Sequence, residues 1–423
     1  MREEAMALLR RKAGRRLGGQ SGCCFALAAL VLIGCKATMQ ESGNLPIGAM
    51  PHRVIGQPYP EDKAAASALS GLALGALIGA AAGTVRPTAA GTAASGVPAF
   101  ERVEVYFATD RRVAARAPDV ARHFTNDRGT LVHGSAHVTI PATHRIGEIE
   151  RPKWYRLERT PVPHKHVVLE GATLYTPDGF YRRVNLKPRP DTAFVFVHGY
   201  NVSFEDAALR TAQMAVDLEL AAVPVFYSWP SQGGMSSYPT DEANIEWSHA
   251  NLRQFLEQFA QRAQVKEVVV VAHSMGSRAA SQALIGLLDA QPALRPKFRE
   301  LVLAAPDIDA AVFKRDIAPL LNARLRGVTL YASSRDKALY ASRKLHGHPR
   351  AGESGEDLVV IPGMETIDAT LVDTDFLGHS YAVQTRTILT DLTLLLKKQM
   401  RAGDRPTLRE VGDAAARHWA FRP

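Results

Sequence analysis

From about residue 100 onward, short continuous apolar runs alternate with longer stretches of helical period. The runs are VEVYFAT (103–109), HVTIP (137–141), FVFVHGYN (194–201), VPVFYSW (223–229), VVVVAHS (268–274), ELVLAAPD (300–307) and VTLYASS (328–334). Runs that do not alternate with polar residues describe strands covered on both faces, as in parallel sheets. Between them, EDAALRTAQMAVDLEL, NIEWSHANLRQFLEQFAQRA, SRAASQALIGLLDA and AVFKRDIAPLLNARL repeat their apolar positions at helical spacing, and SYAVQTRTILTDLTLLLKK reads as a closing helix. The pattern predicts an α/β domain over 100–400, with a mostly parallel sheet and helices on both of its faces. Residues 401–423 read as a polar tail.

Upstream of residue 100 the patterning changes. Residues 1–34 join a basic segment ending in RKAGRR to the apolar run FALAALVLIG. That run is too short to span a bilayer and fits the apolar part of an export signal. Leu32-Ile33-Gly34-Cys35 resembles the lipobox of bacterial lipoproteins, with Ile33 where a smaller residue is usual. The resemblance implies cleavage before Cys35, lipid on its thiol and a place in the bacterial cell envelope. Lys36 in place of an acidic residue favours the outer membrane or periplasmic face. An uncleaved signal anchor is the competing reading. Residues 35–63 read as a tether and 86–99 as a linker of small residues. Between them, 64–85 has Gly71, Gly75, Gly79 and Gly83 at four-residue spacing and resembles a glycine zipper. It predicts a membrane-associated or self-associating helix, against the alternative of a low-complexity Ala/Gly linker.

Charge narrows the partners. The formal net charge is +9, and residues 1–34 hold six basic side chains against two acidic ones. The rest of the chain is mildly basic, without a dense basic stripe interleaved with aromatics, so no nucleic-acid partner is expected.

The candidate chemistry centres on Ala272-His273-Ser274-Met275-Gly276. A serine between a buried strand and a helix, flanked by small residues two positions away on either side, has the form of a nucleophile elbow. The pattern is G-x-S-x-G with Ala272 in place of the first glycine. A serine nucleophile needs a histidine base and an orienting carboxylate, which follow it in the order acid, then histidine, in folds with this elbow. Four histidines qualify by position. His346 and His348 sit too near the acid candidate Asp336, and His418 lies in the tail, which leaves His379 in the loop before the closing helix. Asp336, two strands after the serine, is favoured as the acid, with Asp307, one strand after it, as the alternative. The oxyanion donors are expected at the backbone N–H groups of Met275 and Tyr200, with Asn201 as a further candidate. His198 reads as a loop-shaping residue. Trp229 and Tyr238 are candidates for lining a pocket or for packing. His164-x-His166 and His346-x-His348 lack a third ligand in the sequence, so neither metal nor cofactor is expected.

VYFATDRR, FVHGYNVSF, FYSWPS, AHSMGSRA, LAAPDID, LYASSRDKAL and GHSY, in that order, resemble a bacterial family of α/β-hydrolase, esterase/lipase-like proteins of uncharacterised function. The resemblance covers about Arg102 to Lys397 and implies an α/β-hydrolase fold with a Ser274-Asp336-His379 triad. The expected activity is cleavage of a small ester or lipid by a membrane-tethered serine hydrolase. An acyltransferase using the same residues, or an envelope scaffold with an inactive hydrolase domain, remain the alternatives.

Overall fold

A computed structural model describes residues 99–114, 123–153, 157–186, 188–234, 237–372, 382–414 and 416–423. The expected signal segment, Cys35, the tether, the zipper and His379 lie outside them. The described residues build an eleven-stranded sheet in the order β10-β11-β9-β8-β7-β6-β4-β5-β1-β2-β3. Its central strands are those legible as apolar runs: β4 (Thr192–Val197), β5 (Ala222–Ser228), β6 (Glu267–His273), β7 (Phe298–Ala304) and β8 (Val328–Ala332). With β1 (Phe100–Val113) and β9 (Glu365–Asp368) they form a continuous parallel array. This is the expected α/β arrangement.

Unbroken apolar runs suit this array because each central strand feeds two cores. In β6, Val268, Val270 and Ala272 enter one core, while Val269 and Val271 enter the other. The first core takes residues of α1 (Pro177–Val184), α3 (Tyr238–Arg262) and α4 (Gly276–Ala290). The second takes residues of α2 (Phe204–Asp217) and the closing helix α8 (Ala382–Leu396). Helix α2 starts at a reciprocal cap, in which Ser203 Oγ accepts from the Asp206 N–H and the Asp206 carboxylate accepts from the Ser203 N–H.

The helical run expected after β7 is broken into α5 (Ala310–Val312), a π turn (Phe313–Ile317) and α6 (Ala318–Arg324). Pro319 lacks the N–H that a regular ladder would need there. Helix α7 (Lys337–His346) follows β8.

Two expectations need correction at the sheet's edges. The apolar run at 137–141 is only the end of β2 (Phe124–Pro141), which pairs antiparallel with β1 and with the edge strand β3 (Val168–Tyr175). Residues 401–423 are not a tail. They supply β10 (Leu408–Val411) and β11 (His418–Phe421), and β11 pairs in parallel with β9. Arg405, fully buried, binds the Asp391 carboxylate at 2.6 Å and Glu365 at 2.7 Å. A polar segment joins the fold here because its cation meets two buried carboxylates.

The topology marks one place for a site. After β4 the chain passes to β5 on one side, and after β6 it passes to β7 on the other. At such a reversal the loops leaving adjacent strands diverge and open a crevice at their carboxyl ends. Those loops are His198-Gly199-Tyr200-Asn201 and the turn at Ser274.

Candidate active site

Ser274 sits between β6 and α4 with φ +50°, in the left-handed region. For a residue with a Cβ this conformation carries strain, and it holds the side chain away from the strand direction. Neighbouring backbone fixes the turn: Ser274 N–H donates to Ala304 O at 2.9 Å, and Ser274 O accepts from Ser277 N–H and Asp307 N–H. A Cβ built on Gly276 would stand 2.2 Å from His198 O, so the second small position of the motif must be glycine. Ala272, at the first, is fully buried in β6.

Met275 caps the amino end of α4. N–H groups in a first helical turn have no partner within the helix, and they carry the positive end of its dipole. Across the crevice, a Cβ on Gly199 would lie 2.9 Å from Ser274 Cβ. The next amide in the chain, Tyr200 N–H, leaves from this point of approach. Both expected oxyanion donors therefore belong to segments bordering the serine.

His198 is excluded as a base by its own bonds. Its Nε2 accepts from Trp229 N–H at 3.1 Å, so Nδ1 carries the proton and donates to Gly199 O at 2.8 Å. Burial and the nearby Arg111 cation lower its pKa to about 3. Trp229 Nε1 donates back to His198 O, and the two rings stack at 5.1 Å. Trp229 is 0% exposed, so it packs the loop and does not line a pocket. Burial and the Arg210 charge lower the pKa of His273, beside the serine, to about 3.

Arg111, within the TDRR stretch, was not expected at the site. It is fully buried in β1, where its guanidinium donates to Val202 O, Ser228 Oγ, Ser231 O and Asn126 Oδ1. It thereby ties the loop after β4 to the loop after β5. Burial lowers its pKa to about 10, which leaves it a cation at neutral pH. No local sequence signal announces this role, because every partner is distant in the chain.

The two acid candidates have different surroundings. Asp336 follows β8 at the carboxyl edge of the sheet and caps α7, its Oδ1 accepting from Ala338 and Leu339 N–H at 2.9 Å. Asp307 is buried and already committed. Its carboxylate takes Arg350 Nε at 2.8 Å, Ser342 Oγ at 2.7 Å and the Tyr238 hydroxyl, with Arg278 3.5 Å away. Burial alone would raise its pKa, but the Arg278 and Arg350 charges outweigh this and hold it below the ordinary range. Tyr238 faces Tyr200 at 5.3 Å and so stands at the site's border, its hydroxyl engaged inward. Arg278, in the first turn of α4, bonds Glu242 at 2.7 Å. His346 is held by Glu242 at 2.8 Å and by Ser342 O. His166 likewise accepts from Val162 N–H and meets Glu158.

A family model describing an alpha/beta hydrolase of unknown function (DUF900) matches residues 181–398, just over half of the chain. The chain belongs to this DUF900 family. The family match spans β4 through α8 and includes Ser274, Asp307, Asp336 and the position of His379. Strands β1–β3, with Arg111, and β10–β11 lie outside it. Among solved structures, the fold is similar to a sugar hydrolase from Lactococcus lactis, at 11% identity and a TM-score of 0.30, covering 51% of this chain and 92% of that one. Comparison with curated proteins gives no match.

Proposed function

We propose that this DUF900 hydrolase cleaves carboxylic esters through an acyl-serine intermediate, with Ser274 as nucleophile, His379 as base and Asp336 as the orienting acid. The observation that carries the reading is the +50° φ of Ser274 at the turn from β6 into α4, with glycine compelled two residues later. A serine held in that turn is the geometry an acyl-transfer nucleophile requires.

In the reaction, Ser274 Oγ adds to the ester carbonyl carbon as His379 takes the hydroxyl proton. The carbonyl oxygen becomes an anion, received by the N–H groups of Met275 and Tyr200. Collapse breaks the bond to the alcohol, which leaves with the proton from His379. Water then attacks the acyl-serine by the same path and releases the acid. Asp336 accepts from the imidazole and favours the tautomer that can take the serine proton. Its position after β8, two strands from the serine strand, supports this over Asp307, whose carboxylate is filled by Arg350, Ser342 and Tyr238.

The same reading places the enzyme in the bacterial envelope, tethered through a lipidated Cys35. Among the described residues no helix is long and apolar enough to cross a membrane. Labelling the full chain with a fluorophosphonate probe tests the chemistry. Adduct on Ser274, absent in Ser274→Ala and greatly slowed in His379→Ala, is expected; a folded wild type that takes no label refutes it. The mass of the membrane-extracted protein tests the tether, since retention of Arg10 and Arg11 rules out cleavage before Cys35.

A further inference from the structure

Helix α7 presents an outer face that nothing in the hydrolytic reading uses. Its inner face is fastened to the wall of the site by Ser342, on Asp307, and by His346, on Glu242. Asp307 N–H in turn donates to Ser274 O at 3.2 Å. The outer face therefore borders the same edge of the sheet as the serine. On it Tyr340 is 61% exposed and Leu345 58%, flanking Lys337 and Lys344, both exposed.

Apolar residues extend this rim at both ends. Leu371, 50% exposed, follows Thr370, whose hydroxyl oxygen accepts from Ser334 N–H just before α7. Val312, 39% exposed, lies on α5, whose Ala310 N–H donates to Pro349 O just after α7.

Within α7 itself the charge is positive, with the half-buried Asp336 carboxylate at its amino-terminal cap and Lys344 lying over the Tyr340 ring, 5.3 Å from its centroid. Helix α7 contains no acidic residue, and its one other cation, Arg343, is matched by Glu353 and Asp357. Separate apolar side chains interspersed with long lysines suit the water–lipid boundary. There, apolar groups enter the acyl region while ammonium groups reach phosphates. A protein partner would favour a contiguous apolar centre instead.

We propose that the outer face of α7, extended by Leu371 and Val312, docks the catalytic edge onto an anionic lipid surface. Each lysine near such a surface adds about fivefold to partitioning, so the pair contributes about 25-fold.

The test uses the full chain bound to vesicles, with and without about one-third phosphatidylglycerol in phosphatidylcholine, and follows lysine acetylation by mass spectrometry. Lys266 precedes β6, at the opposite end of the sheet, and serves as the reference. On anionic vesicles, Lys337 and Lys344 are expected to react at least about fivefold more slowly than on phosphatidylcholine, with Lys266 unchanged. Tyr340→Ser combined with Leu345→Ser should restore the faster rate. Equal rates on both vesicles, equal slowing at Lys266, or protection that survives the double substitution would each overturn the proposal. None of these readouts depends on turnover, so the result stands apart from the fate of the esterase reading.

Discussion

Gly199 and Ser274 approach so closely that a methyl group on the glycine would stand 2.9 Å from Ser274 Cβ and 2.8 Å from His273 Nδ1. Two loops leaving neighbouring strands are thus pressed together at the place proposed for the oxyanion. Gly199→Ala should displace the serine or the Tyr200 amide by up to about 1 Å. Positional errors of that order cost about 100-fold in reactions that depend on alignment. The expected outcome is a fluorophosphonate labelling rate lowered by about 100-fold with the fold retained. Gly276→Ala differs, because its new methyl meets the backbone oxygen of His198 at 2.2 Å, which cannot step aside. That variant should yield little soluble protein.

Asp307 and Asp336 separate by paired substitution to asparagine. Asn caps a helix about as well as Asp, so Asp336→Asn keeps α7 while removing the carboxylate charge. It should lower ester turnover by about 1000-fold or more with an unchanged melting temperature. Asp307→Asn leaves Arg350 and Arg278 facing a neutral amide in a buried setting. Breaking such a pair costs roughly 3–5 kcal/mol, so this variant should melt earlier while its folded fraction still takes label. The reverse pattern would move the acid to Asp307.

The sheet's centre was legible because β4 to β8 fill two cores and must be apolar throughout. Its margins were not. Strand β9 is the four-residue ETID, and β10 reads LREV, too short and polar to stand out. Arg405 looks like any solvated arginine until Asp391 and Glu365 arrive from other parts of the chain. The strand–turn–helix at Ser274 was legible because small residues, strand and helix are all local to it. The Arg111 staple and the Asp307 network were hidden because their partners lie tens of residues apart. Helix α7 did carry a local signal: Asp336 before it, basic residues in its last turn and left-handed Gly347 after it.

His144 makes stability depend on pH in a stated direction. Burial disfavours its cation, but hydrogen bonds to Asp217 at 2.9 Å and Glu150 at 2.8 Å outweigh this and raise its pKa to about 9. A raised pKa means the folded state holds the proton more tightly than the unfolded chain. The stabilisation is therefore complete below about pH 6.5 and is lost as pH rises toward 9, about 3 kcal/mol at most. Wild type should lose melting temperature over that interval. His144→Gln should be less stable at pH 6 and show a flatter profile. Parallel curves for the two proteins would remove His144 from the account.

Two arginines tie the segment of the last two strands to buried carboxylates, Arg401 on Glu300 and Glu365 and Arg405 on Asp391 and Glu365, and only Arg405 is itself fully buried. Arg405 sits fully buried between Asp391 and Glu365, and Tyr331 OH adds a 2.6 Å bond to Asp391. Burial keeps the Asp391 pKa above the ordinary carboxylate value even with Arg405 present. Arg405→Met fills much of the space but strands the Asp391 charge, at a cost of roughly 3–5 kcal/mol near neutral pH. Without its cation, Asp391 should take up a proton more readily still. A group with a raised folded pKa regains stability as pH falls, so the deficit of the variant should narrow on acidification toward the ordinary carboxylate range. Denaturant melts of both proteins across that range measure it. A deficit independent of pH would mean that lost packing, and not the unpaired carboxylate, weakens the β9–β11 edge.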